Sequence, residues 1–174
     1  MHNDDPSAAL TWMPKGSFWT QPAAGNHVTA ANGDTNLIYL EIDKGPYLVK
    51  PAKQAFNNSE TALNLSYSNM VWEKRINLRG VEETLLWGST EADELGGKML
   101  KLPSGIKVNF NNGGKEFRAV LISGSANYTN TELTTVDRID VGSYFGSKGS
   151  FNHSIDTLQE SLLYIRSDNR FTVE

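Results

Sequence analysis

Two histidines, His27 and His153, occupy the same place in two copies of one segment, which makes them the first candidates for metal or acid–base chemistry. Gly16-Ser17-Phe18-Trp19-Thr20-Gln21-Pro22-Ala23-Ala24-Gly25-Asn26-His27 lies without a gap over Gly142-Ser143-Tyr144-Phe145-Gly146-Ser147-Lys148-Gly149-Ser150-Phe151-Asn152-His153. An imidazole can ligate a metal or move a proton near neutral pH, and His2 is the one other histidine in the chain. With no cysteine, thiol catalysis, disulfides and thiolate-bound metal are excluded. Each repeated histidine is followed eleven or twelve residues later by a tyrosine inside an apolar run, Leu37-Ile38-Tyr39-Leu40 and Leu162-Leu163-Tyr164-Ile165. A repeat at this spacing implies a duplicated structural unit. Because the first copy starts near the N-terminus and the second ends at the C-terminus, the sequence predicts about one and a half units.

The elements that must hold these residues read as β-strands. Short β-branched and aromatic runs alternate with Gly, Asn, Asp and Pro clusters, the pattern of an all-β sandwich or barrel. Strands are predicted at Ala8–Met13, Ser17–Gln21, Asn36–Asp43, Tyr47–Val49, Glu83–Trp87, Lys98–Leu102, Ile106–Phe110, Glu116–Ile122, Thr134–Val141, Leu162–Arg166 and Arg170–Val173. In Ile38-Tyr39-Leu40-Glu41-Ile42-Asp43 the apolar residues fall on one face and Tyr39, Glu41 and Asp43 on the other. The polar stretch 51–69, with one helical turn at Ala52–Phe56, reads as a connection. The predicted domains are thus a half unit at 1–50, the connection at 51–69 and a complete barrel at 70–174.

Composition narrows the function. With 39% hydrophobic and 21% charged residues, neither disorder nor a membrane span is supported. A net charge of -4 gives no reason to expect nucleic acid or an anionic membrane as partner. The polar, acidic start Met1-His2-Asn3-Asp4-Asp5-Pro6 reads as no signal peptide, and a cysteine-free chain then predicts a cytoplasmic protein. No phosphate-cradling glycine loop and no Gly-x-Ser-x-Gly elbow is present.

Gly16-x5-Pro22-x2-Gly25-x-His27 resembles the second cupin motif, a turn that presents one metal-binding histidine inside a jelly roll. Together with Trp12-Met13-Pro14-x-Gly16-Ser17-Phe18-Trp19-Thr20-Gln21-Pro22 and Ile42-Asp43-Lys44-Gly45-Pro46-Tyr47-Leu48-Val49, it is similar to ChrR-type tandem cupins. Glu116-Phe117-Arg118-Ala119-Val120-Leu121-Ile122-Ser123-Gly124 resembles the family's first motif. The resemblance implies an all-β cupin jelly roll (double-stranded β-helix), one complete barrel plus a half-barrel.

It also implies a metal site built from His-x-His, an acid and a second-motif histidine. Counting back from Gly124 places the two His-x-His positions at Asn111 and Gly113, which leaves His153 and Glu116, with His27 in the other unit. One histidine and one carboxylate are too few for a catalytic transition metal. The expectation is therefore a degenerate, non-catalytic cupin without a cofactor, serving as a small-molecule pocket or assembly module. A divalent iron or zinc enzyme of dioxygenase or hydrolase type is the alternative. The expected ligand-binding residues are Asn109, Asn111, Glu116, Arg118, His153 and Tyr164. His153 reads either as a cavity-lining residue hydrogen-bonded to Tyr164 or Asn111, or as a ligand. Arg118 either binds a carboxylate or phosphate or pairs with Glu116. A homodimer covering the apolar strand around Leu40 is the expected partner arrangement.

Overall fold

A strand survives only where its backbone finds a neighbouring strand, and this separates the two ends of the chain. The computed structural model describes residues 2–3, 10–43, 45–130, 132 and 135–174. These fall into two units, Met1–Met70 and Val71–Glu174.

The first unit holds two short ladders. β1 (His2–Asn3) pairs with β3 (Val28–Thr29), and β2 (Phe18–Trp19) with β4 (Asn64–Leu65), both antiparallel. Single 3-10 turns lie at Ala52–Gln54, inside the expected helical turn, and at Tyr67–Asn69. The strands expected at Asn36–Asp43 and Tyr47–Val49 are not formed. Their apolar residues are exposed, and a lone segment has no ladder to join. The strand expected at Ala8–Met13 lies partly outside the described residues, and 10–13 form none.

The second unit is a two-sheet sandwich made of β5 (Glu73–Lys74), β6 (Glu82–Gly88), β7 (Gly96–Leu102), β8 (Lys107–Asn112), β9 (Phe117–Ser123), β10 (Ala126–Asn130), β11 (Asp137–Ile139), β12 (Tyr144–Ser147), β13 (Phe151–Thr157), β14 (Ser161–Ser167) and β15 (Phe171–Val173). One sheet runs β11-β10-β13-β8-β15 and the other β12-β9-β14-β7-β6-β5. Side chains alternate across each strand. Val108 and Phe110 of β8 and Ile155 of β13 thereby meet Leu100 and Leu102 of β7, Phe117 and Leu121 of β9 and Leu163 and Ile165 of β14 in one core. Gly124 closes the β9–β10 hairpin at φ 88°, and a Cβ there would lie 2.3 Å from Ser161 Oγ. Among the described residues no helix is long and apolar enough to cross a membrane.

Six predicted strands of this unit are found with shifted ends, as β6, β7, β8, β9, β14 and β15. The strand expected at Thr134–Val141 shortens to β11, its first residue lying outside the described set. Four strands escaped prediction: the two-residue β5 and the longer β10, β12 and β13. The histidine segment 151–157 reads as a turn from its polar residues, yet it is a strand with Asn152, Ser154 and Asp156 facing out.

Candidate functional site

His153 is fixed by its strand. β13 pairs His153 with Phe110 of β8, so both side chains enter the interior. The imidazole is 1% exposed, stacks on Phe117 at 5.2 Å and 20°, and touches the rings of Phe145 and Phe151 at 5.3 and 4.8 Å. Burial pushes its pKa down to about 4, so it is neutral near pH 7.

Both ring nitrogens are engaged. Asn130 Nδ2 donates to Tyr128 Oη at 3.1 Å, and Tyr128 Oη lies 2.8 Å from His153 Nδ1. His153 Nε2 lies 3.1 Å from Ser147 Oγ. The tautomer with Nδ1 accepting from Tyr128 and Nε2–H donating to Ser147 gives the tyrosine proton an acceptor. Burial also raises the Tyr128 pKa, partly offset by the hydrogen bond from Asn130, so the phenol keeps that proton. Beyond Ser147 stands Asn112, 3% exposed, whose Nδ2 donates to Gly149 O at 2.7 Å and, at 3.5 Å, to Ser147 Oγ.

These donors do not fit a transition metal. A ligating imidazole needs one nitrogen lone pair aimed at the ion while the other nitrogen is held by a second group. Here both nitrogens are taken, and the neighbours are a phenol, a hydroxyl and an amide. Among the described residues no three His, Cys, Asp or Glu side chains come together. His27 is exposed, belongs to the first unit, and has Nδ1 3.3 Å from Gly25 O.

Several expected placements need correction. Asn112, not Asn111, enters the interior, because the pairing of Phe110 with His153 sets the even positions of β8 inward. Asn111, the position that the count from Gly124 selects, thus lies on the opposite face of β8 from His153. Asn109 and Asn111 instead border a hollow of about 260 Å³ together with Asn130, Asn152 and Ser154, and His153 of the same strand also borders it. Asn111 Nδ2 donates to Thr172 Oγ1 at 3.4 Å.

Tyr164 does not share a cavity with His153. Its neighbours Leu163 and Ile165 occupy the core, so its ring lies on the outer face of the six-stranded sheet, where it accepts from Trp87 Nε1 at 3.0 Å. Arg118 likewise points away from Phe117 and Ala119, and its Nε sits 2.8 Å from Glu116 Oε1. Arg166 Nε approaches the same oxygen at 3.5 Å. These are charge contacts without hydrogen-bond alignment, since Glu116 Oε1 has no hydrogen-bond partner among the described residues. Of the six expected residues, His153 alone lies between the two sheets; Tyr164, 6% exposed, is buried on the outer face.

A second site lies where four hairpins end. Asp93 of the β6–β7 turn, Gly113, Gly114 and Lys115 of the β8–β9 turn, Gly149 and Ser150 of the β12–β13 turn, and Arg170 border an open hollow of about 560 Å³. Arg170 Nε donates to Asp93 Oδ1 at 2.6 Å, with Nη2 on Oδ2. This hydrogen-bonded pairing lowers the Asp93 pKa and raises that of Arg170. Asp168 accepts from the Lys115 backbone N–H at 2.6 Å through Oδ2, while its Oδ1 is buried without a hydrogen bond among the described residues. A Cβ on Gly114 would come within 2.0 Å of that oxygen, so only glycine lets the turn lie there. Asn112 accepts from Gly114 N at 3.1 Å and so ties the chain of hydrogen bonds at His153 to the floor of this site. In the sequence, the Lys115 beside Gly113-Gly114 and the Asp168-Asn169-Arg170 segment are the signals of this site.

The paired antiparallel sheets closing over one aromatic core define a cupin-type double-stranded β-helix. KdgF from Halomonas sp. matches with a TM-score of 0.50 at 12% identity, over 60% of this chain and 93% of that one. An RmlC-like cupin from Shewanella frigidimarina matches at 0.46 and 11% identity, over 57% and 84%. Salicylate 1,2-dioxygenase from Pseudoaminobacter salicylatoxidans matches at 0.45 and 12% identity over 55% of this chain, which spans 29% of that enzyme. The chain belongs to the family described as domain of unknown function (DUF4437), whose model matches residues 1–174. No curated protein matches the sequence.

Proposed function

We propose that the second unit is a non-catalytic cupin that binds a small anionic molecule at its hairpin end. The observation that carries the non-catalytic reading is His153: its ring is packed among phenylalanines and both nitrogens are hydrogen-bonded, so the position where the family resemblance expects a metal ligand is a filled core. The larger of the two hollows, the open 560 Å³ site tied to His153 through Asn112, is the one that carries positive charge for a ligand. Lys115 and Arg170 supply its positive charge, and a carboxylate or phosphate matches the guanidinium in two-point fashion. An entering anion takes over Arg170 from Asp93. The repeat around His27 and the resemblance to ChrR-type tandem cupins support reading the first unit as part of a second cupin unit. The absence of cysteine supports a cytoplasmic location.

Calorimetric titration of the full chain with oxalate and with inorganic phosphate tests this reading. Binding of at least one of the two is expected, weakened roughly 10-fold or more by Arg170→Ala or Lys115→Ala, since a charge-assisted hydrogen bond contributes about 1.5–3 kcal/mol. No binding of either anion, or affinities indifferent to both substitutions, overturns it.

A further inference from the structure

One lysine of the second unit points into the sandwich. In β7, Lys98 stands opposite Ile165 of β14 and Leu85 of β6, and residues paired across a ladder share a face. Ile165 is fully buried in the core, as are Leu100 and Leu102 at the alternate positions of β7, so the Lys98 side chain leaves the sheet on its inner face. Its Nζ lies 5.3 Å from the centre of the Phe171 ring, which belongs to β15 of the opposite sheet and meets Phe117 edge-on at 5.2 Å. The amine therefore sits between the two sheets. β15 is an edge strand, and Leu85, on the same inner face as Lys98, is 45% exposed. The sheets do not close over this point, and a small molecule can reach the amine from solvent.

This lysine lacks the partner that an inward charge usually has. Among the described residues Lys98 forms no ion pair. The carboxylate that bears on it is Glu83 of β6, whose Oε2 accepts from Arg75 Nη1 at 2.7 Å. Burial lowers the Lys98 pKa; Glu83 opposes that shift and Arg75 reinforces it. Lys101, three residues further along β7 and on the outer face, shows the ordinary arrangement, with Nζ donating to Glu82 Oε2 at 2.9 Å and lying over the Trp72 ring.

We propose that Lys98 is a nucleophilic site that captures a small apolar aldehyde as an imine. The amine lone pair attacks the aldehyde carbon and one amine hydrogen passes to the oxygen, giving a carbinolamine. The hydroxyl then leaves with the second amine hydrogen as water, so a C=N bond replaces the C=O bond and nothing is oxidised or reduced. Phe171 and Leu85 offer the aldehyde's substituent apolar contact. Burial penalises an ammonium and not a neutral imine, which favours both the attack and its product. The same property suits buried lysines elsewhere to imine chemistry. No residue is shared with the anion site, so either proposal can fail while the other stands.

The test is incubation of the full chain with isobutyraldehyde and sodium cyanoborohydride, which reduces an imine to a stable secondary amine, followed by peptide mass spectrometry. Near neutral pH, Lys98 is expected to be labelled at least about 5-fold faster than half-buried Lys101 and exposed Lys53, since each unit of pKa lowering raises the neutral fraction about 10-fold. The advantage is expected to vanish in urea. Labelling of Lys98 is also expected to reach half its plateau at a lower pH than labelling of Lys53. A rate at Lys98 that does not exceed both of the others, coincident pH profiles, or an advantage that persists in urea overturns the proposal.

Discussion

Phe117→Ala is expected to destabilise the second unit by about 3–5 kcal/mol, the usual range for removing a fully buried phenylalanine. The ring is 0% exposed and lies 5.6 Å from Phe110, 5.2 Å from Phe171 and 6.3 Å from Phe145, as well as stacked on His153. Its neighbours come from both sheets and cannot collapse into the space without breaking strand register. Urea unfolding measures the effect as a lower midpoint with an unchanged slope. A cost below about 1 kcal/mol would mean that the ring lines an open ligand cavity, contrary to the packed interior described here.

Acidification is expected to destabilise the protein through His153 before the carboxylates titrate. Burial holds the folded imidazole at about 4, against 6.5 for a free imidazole, so between those values the unfolded chain binds a proton that the folded chain does not. The contribution is therefore complete above pH 6.5 and is lost as pH falls toward 4. By pH 4.5 the loss is about 2.5 kcal/mol. Protonation also gives Nδ1 a hydrogen that faces the Tyr128 hydroxyl, so Tyr128 must turn its own proton away. In His153→Gln the stability slope between pH 6.5 and 4.5 is expected to disappear, whatever the variant's stability at pH 7. A slope equal to that of the wild type would show that the imidazole is accessible and freely protonated in the fold.

The long strands were legible because apolar runs such as Met99-Leu100-Lys101-Leu102 and Ala119-Val120-Leu121-Ile122 carry their own signal. β10, β12 and β13 were not, since Asn, Gly and Ser suit a turn as well as the outer face of a strand. The alternation Phe151, His153, Ile155 against Asn152, Ser154, Asp156 was the overlooked clue. Conversely, residues 36–43 have a clear strand pattern but no neighbour to pair with, and pattern alone cannot supply one. In the site, the motif resemblance pointed to His153, while its expected neighbour Asn111 faces the other way and Asn112 faces inward. Tyr128 and Ser147, its actual partners, come from β10 and β12, two strands that were missed. Asp93, Lys115, Ser150 and Arg170 lie in four separate turns, and only closure of the sandwich brings them to one place.

Elemental analysis of the full chain purified without chelator tests whether the interior at His153 is a filled core that holds no metal. Well under 0.1 equivalent of iron, zinc, nickel or manganese per chain is expected, because neither ring nitrogen has a lone pair to offer and too few donors surround it. A reproducible full equivalent of any of these metals, lost on His153→Ala, would contradict the account.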